Sequence, residues 1–111
     1  MPRKSDLDPQ LLRGAAAAAV ADLKLLANED RLLLLCQLSR GERCVSALEA
    51  ELDIRQPTLS QQLAVLRNEG VVATRREGKN IHYRLARDEL LDVLAVLYRL
   101  YCAPAAHRSE M

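Results

Sequence analysis

Apolar and polar positions change rhythm along this chain, and each change marks a different kind of element. Leu12, Ala16, Ala19, Leu23 and Leu26 recur at spacings of four and three, which predicts a helix from Pro9 to about Ala27. Asp8-Pro9 supplies its cap and its first-turn proline. Asn28 can cap a second helix, Glu29 to Leu38, with Glu29 and Asp30 favourably placed in its first turn. Leu32, Leu33, Leu34, Leu35 and Leu38 make that helix apolar on nearly every side, so it is expected to be the buried central one, with Cys36 inside it. Arg40-Gly41-Glu42-Arg43 ends it. Val45, Leu48 and Leu52 stripe a third helix, Val45 to Leu52, and Asp53-Ile54-Arg55 makes a short connection. Pro57 suits the first turn of a fourth helix, on which Leu59, Leu63 and Leu66 fall on one side.

After Glu69-Gly70, where glycine can close a helix in a left-handed conformation, the pattern becomes alternating. Val71, Ala73 and Arg75 alternate with Val72, Thr74 and Arg76; Glu77-Gly78-Lys79-Asn80 turns, and Ile81-His82-Tyr83-Arg84-Leu85 returns. A helix-turn-helix followed by such a hairpin is a winged helix, so the expected fold is mainly α with a small β-hairpin. Asp88 opens a last helix to about Cys102, striped by Leu91, Leu94, Ala95, Tyr98, Tyr101 and Cys102, and Pro104 stops it. One domain over residues 1–111 is the natural reading, with residues 1–8 and 105–111 as loose tails.

Half the residues are hydrophobic, yet Trp and Phe are absent, so the core is expected to be built largely from Leu, Ala and Val. A core from 111 residues is thin, and dimerisation through apolar helices would thicken it. Small residues in the stripe of the first helix allow close approach of another helix. That stripe could meet a partner subunit or cover the chain's own core. The last helix, by its length and place after the wing, suits a homodimer formed with the first.

On the fourth helix the side opposite the leucines carries Ser60, Gln61, Ala64, Arg67 and Asn68, with Gln56 and Thr58 at its leading end. Hydroxyls and amides there can hydrogen-bond base edges, and helix-turn-helix proteins put that end of their second helix in the major groove. Taken alone, the same face could be merely solvated. Charge tips the balance. From Arg55 to Arg87 seven Lys/Arg stand against two Asp/Glu, a balance of +5 in a chain of +1 overall, leaving −4 for the rest. Positive charge is therefore concentrated where double-stranded DNA would be read, with Arg75, Arg76 and Lys79 of the wing placed to reach phosphates.

No apolar run is long enough to span a bilayer, and the alanine tract Ala15 to Ala21 soon meets Asp22 and Lys24. Asp6 and Asp8 are unlike a signal-peptide leader, and three scattered cysteines form no disulfide framework, so a cytoplasmic protein with reduced thiols is expected. No paired-carboxylate, Ser/His/Asp or phosphate-loop pattern is present; neither an enzyme nor a cofactor is expected. His82 is expected to be structural or a minor phosphate contact.

With these elements placed, the chain resembles the ArsR-type family of small winged-helix repressors. LANEDRLLLLCQL, QPTLSQQLAVLRNEGVV and TRREGKNIHYRL carry the resemblance over almost the whole length. It implies a homodimer that binds an imperfect inverted repeat and releases it on sensing an inducer. Arsenite-sensing relatives often carry CVCDLC where this chain has Cys44-Val45-Ser46-Ala47-Leu48-Glu49, and one thiolate holds a soft metal poorly. Zinc-sensing relatives use His and carboxylates on the last helix, which here contains no His. Cys36 in LLLLCQL and Cys102 in LYRLYCAP instead resemble the sulfide- and persulfide-responsive (BigR/SqrR-like) branch. That resemblance implies a dithiol switch in which reactive sulfur bridges Cys36 and Cys102 and the repressor leaves its operator. A metal(loid)-responsive repressor using Cys44, with His107 or another ligand, is the alternative. A lone cysteine in a leucine-rich helix can also be plain packing.

Overall fold

The computed structural model describes residues 7–102. Pro104, His107 and the segments 1–6 and 103–111 lie outside the described residues. Eight elements follow in order: α1 (Pro9–Leu26), α2 (Glu29–Leu38), β1 (Arg43–Cys44), α3 (Val45–Leu52), α4 (Thr58–Asn68), β2 (Val72–Glu77), β3 (Asn80–Leu85) and α5 (Leu90–Tyr101).

The expected caps are in place. Asp8 accepts from the Gln10 amide at 2.9 Å and Asn28 from the Arg31 amide at 3.0 Å, each satisfying one of the donors a helix start leaves free. Asp53 closes α3 in the left-handed region at φ 54°. At the end of α4, Gly70 adopts φ 72° while its amide donates to Arg67 O and that of Val71 to Leu66 O, so two orphan carbonyls are met at once. Pro57 occupies the cap position of α4 rather than its first turn. The last helix begins at Leu90, two residues after Asp88. Leu90 and Leu91 donate three residues back, to Arg87 O and Asp88 O, so a tight turn leads in.

The sheet has three strands rather than the two of the expected hairpin, in the order β1-β3-β2 and antiparallel throughout. Arg43 pairs with Tyr83 and Cys44 with His82, while β2 and β3 run from Val72↔Leu85 to Glu77↔Asn80 around Gly78-Lys79. Two residues are too short to show alternation, so β1 left no trace in the hydropathy pattern.

Leu34, Leu35 and Leu38 of α2 meet Leu48 of α3, Leu59, Leu63 and Leu66 of α4, Ile54, Val71, Val72, and Leu90 and Leu94 of α5. No alanine is buried in that core, contrary to the composition-based expectation. The alanines of α1 face outward because α1 buries only Leu26. Nor is α2 buried all round: Leu33 is 47% exposed. Leu12 and Leu23 of α1 are each 58% exposed, and Tyr98 and Tyr101 of α5 are 63% and 73% exposed. The radius of gyration is 16.2 Å, against about 13 Å for a compact chain of 100 residues. Both ends of the chain project apolar helix faces from a core that does not cover them.

Candidate nucleic-acid interface and thiol pair

Burial of Leu59, Leu63 and Leu66 turns Ser60, Gln61, Ala64, Arg67 and Asn68 outward on α4, all exposed. Thr58 at the first turn is half-buried. The exposed Gln56 and Ser60 are tied to each other: Gln56 Oε1 accepts from the Ser60 amide at 3.2 Å and from its hydroxyl. Gln56 thus serves the N-terminus of α4 with its oxygen and keeps its amide N–H groups free to donate.

In the wing, Arg76 and Lys79 are exposed at the tip, and Arg76 Nε donates to Gly78 O at 3.3 Å. Arg75 is differently placed. Its Nε donates to Glu42 Oε1 at 2.7 Å and its NH1 to Glu77 Oε2 at 2.8 Å, and NH2 also lies 2.7 Å from Glu42. The Arg75 bond holds the Glu42 carboxyl below the usual range, and the two carboxylates push the guanidinium up. Arg87 is likewise engaged, with Asp22 at 2.7 and 3.0 Å and with Glu89 at 2.9 Å. Arg55, Arg67, Arg76, Lys79 and Arg84 form no ion pair among the described residues, so these carry the free positive potential.

All three cysteines are free thiols. Cys36 is half-buried on α2, in the wall of a cleft of about 590 Å³ that Leu33, Leu52, Leu91, Leu94 and Tyr98 also line. Cys102 is exposed at the end of α5, where its amide donates to Tyr98 O at 2.8 Å. Burial pushes the Cys36 thiol up, and charge on Cys102 pushes it further. Cys44 occupies the cap position of α3. There the Ser46 hydroxyl, 3.3 Å from its sulfur, and the Ala47 amide pull its thiol down. Sequence reasoning weighed Cys44 as a metal ligand and did not foresee these neighbours, which meet its sulfur only once Ser46 and Ala47 begin α3. It also missed Arg31, Glu42 and Gln62, whose partners are remote in sequence.

Residues 28–74 match the family described as "Bacterial regulatory protein, arsR family". The chain is 53% identical over 96 residues to the biofilm growth-associated repressor of Agrobacterium fabrum, covering 86% of this chain and 81% of that protein. The crystal structure of the transcriptional repressor BigR from Xylella fastidiosa is similar with a TM-score of 0.83 and 41% identity, over 86% of this chain and 98% of that one. The antimony-specific transcriptional repressor AntR is similar with a TM-score of 0.81 and 32% identity, over 97% and 96% of the two chains.

Proposed function

This chain belongs to the bacterial ArsR family of regulatory proteins, and from that premise we propose a homodimeric repressor that sulfur chemistry at Cys36 and Cys102 releases from its operator. The coarse activity follows from membership: a DNA-binding transcriptional repressor, not an enzyme. The finer reading is that Gln56, Thr58, Ser60, Gln61 and Arg67 enter the major groove while Arg76 and Lys79, with Arg75 behind them, contact phosphates. Two such faces, brought together through α1 and α5, read an inverted repeat.

The observation that supports the sensor reading is the placement of two free thiols on α2 and α5: Cys36 lines the cleft that Leu91, Leu94 and Tyr98 of α5 also line, and Cys102 lies one turn beyond Tyr98. Cys102 is the exposed member and attacks first. Its thiolate takes the terminal sulfur of an organic persulfide and releases the donor's thiolate. The Cys36 thiolate then attacks the Cys102 sulfur and expels hydrosulfide, leaving α2 and α5 covalently bridged. The oxidising equivalent comes from the donor's sulfane sulfur, and each step exchanges one S–S bond for another. If Cys36 is itself persulfidated first, the same displacement leaves an extra sulfur in the bridge. A metal-responsive reading would join Cys44 to His107, which lies outside the described residues; among those residues no group of three His, Cys, Asp or Glu side chains is gathered.

The test pairs operator gel shifts with intact-protein mass spectrometry after glutathione persulfide. Cys36→Ser and Cys102→Ser should each bind operator like the parent yet stay bound after treatment, with no Cys36–Cys102 crosslink. Normal release by both single variants would sink the dithiol switch.

A further inference from the structure

Arg31 lies at the first turn of α2, between the C-terminal end of α1 and the inner side of α4. Its guanidinium touches both. Nε donates to Leu25 O at 2.8 Å and NH2 to Lys24 O at 3.0 Å, at the C-terminal end of α1. NH1 donates to Gln62 Oε1 at 3.0 Å, on α4. Every nitrogen of the side chain is therefore engaged, and no carboxylate is among its partners. A cation at helix-terminal carbonyls is favourable for the α1 dipole, but that alone would not need the bond to Gln62. Gln62 sits at the margin of the inward face of α4, half-buried beside Leu59, Leu63 and Leu66. It is thus on the recognition helix without being on its outward face.

We propose that Arg31, through Gln62, is the positioning residue that fixes the angle between α1 and α4, and thereby the half-site spacing that the dimer accepts. The proposal rests on the reading above that two copies joined through α1 and α5 bind an inverted repeat. The guanidinium is planar and presents its donors in a fixed fork, so three bonds to two helices define an orientation rather than a mere contact. Tilting α1 against α4 would strand at least one of these partly buried donors or carbonyls. The other restraints on α1 are Leu26, its sole buried residue, the half-buried Leu25, and the Asp22–Arg87 pair, which holds it to the segment before α5 rather than to α4. The lever is long. The 18 residues of α1 extend about 27 Å at 1.5 Å per residue, so a tilt of roughly 7° moves the far end by roughly 3 Å, near the rise of one base pair. Since operator spacing mirrors the geometry of the dimer, a lever error of that size is an error of about one base pair.

The experiment uses the full chain and an operator selected by the parent protein from a random duplex library. Affinity is then measured for that duplex, for versions with one base pair added to or removed from the spacer, and for a single half-site. The parent should lose roughly tenfold or more on either spacer change. Gln62→Leu and Arg31→Met should discriminate the three spacers by roughly threefold or less, while half-site affinity stays within about twofold of the parent. Gln62→Glu keeps an acceptor for Arg31 and should keep the parent's preference. Variants that retain the parent's spacing profile would overturn the proposal, as would loss of half-site binding, which would place Arg31 and Gln62 in support of the reading face itself. A parent that shows no spacing preference would instead remove the dimeric inverted-repeat reading. Where Arg31→Met does not fold, the Gln62→Leu and Gln62→Glu pair carries the test.

Discussion

At Cys44 a thiolate is met by the Ser46 hydroxyl and the Ala47 amide, whereas at Cys36 it is half-buried and faces charge on Cys102. Because the thiolate is the nucleophile, these surroundings act on reactivity alongside exposure. Limited alkylation with iodoacetamide near neutral pH, mapped by peptide mass spectrometry, should label Cys44 faster than Cys36 by roughly an order of magnitude. Equal rates would mean that the α3 cap does not activate its thiol. Cys44→Ser should leave persulfide-triggered operator release unchanged, since Cys44 is on neither α2 nor α5. The family resemblance singled out Cys36 and Cys102 because their flanking segments are distinctive. It matched Cys44 only to the first thiol of a metal motif, and the environment of that thiol arises only when Ser46 and Ala47 turn into a helix behind it.

Within single elements, periodicity carried most of the reading. The α4 stripe of Leu59, Leu63 and Leu66 is buried as its spacing predicts, and the outward polar face follows by geometry alone. The run Leu32 to Leu35 has no period, so nothing in it says which leucine faces out. Packing does: Leu34 is fully buried while Leu33 is 47% exposed at the cleft beside Cys36. Leu34→Ala should therefore cost about 2–5 kcal/mol in urea unfolding and Leu33→Ala less than about 1 kcal/mol. Similar costs would show that Leu33 is covered in solution. In the wing, sequence placed Arg75 and Arg76 on equal terms, because charge counts do not reveal internal partners. Glu42 and Glu77 occupy the Arg75 guanidinium, so Arg76→Ala should flatten the salt dependence of DNA binding by about 0.9 log units per log of salt, and Arg75→Ala by less. An equal change for both would show that DNA phosphates displace the two carboxylates.

For the whole molecule, the question is how a reading unit with a leucine core stays attached to helices that it barely buries. Among the described residues, α1 is tied by Leu26, by Arg31, and by a bidentate ion pair from Asp22 to Arg87 just ahead of α5. That pair joins the first helix to the base of the last, the two helices proposed to form the dimer. Its acid dependence has a definite sign. The Arg87 bond holds the folded Asp22 carboxyl below its ordinary value, so stabilisation is complete above the unfolded carboxylate range and is lost as pH falls through the lowered folded value. Glu89, also held down by Arg87, contributes in the same direction. Asp22 is 30% and Glu89 66% exposed, so the effect is modest and salt-sensitive. Asp22→Asn should lower the thermal midpoint by a few degrees at pH 7 and low salt, measured at fixed protein concentration because a dimer's midpoint depends on it. Scanning from pH 7 into the acid range, the difference between parent and variant should begin to shrink at the ordinary carboxylate range and vanish only below the lowered folded value, as the Asp22 carboxylate of the parent is protonated. A difference that persists at the acid end would mean that Asp22 acts through packing rather than charge, and the link between α1 and α5 would then have to be sought in their apolar faces.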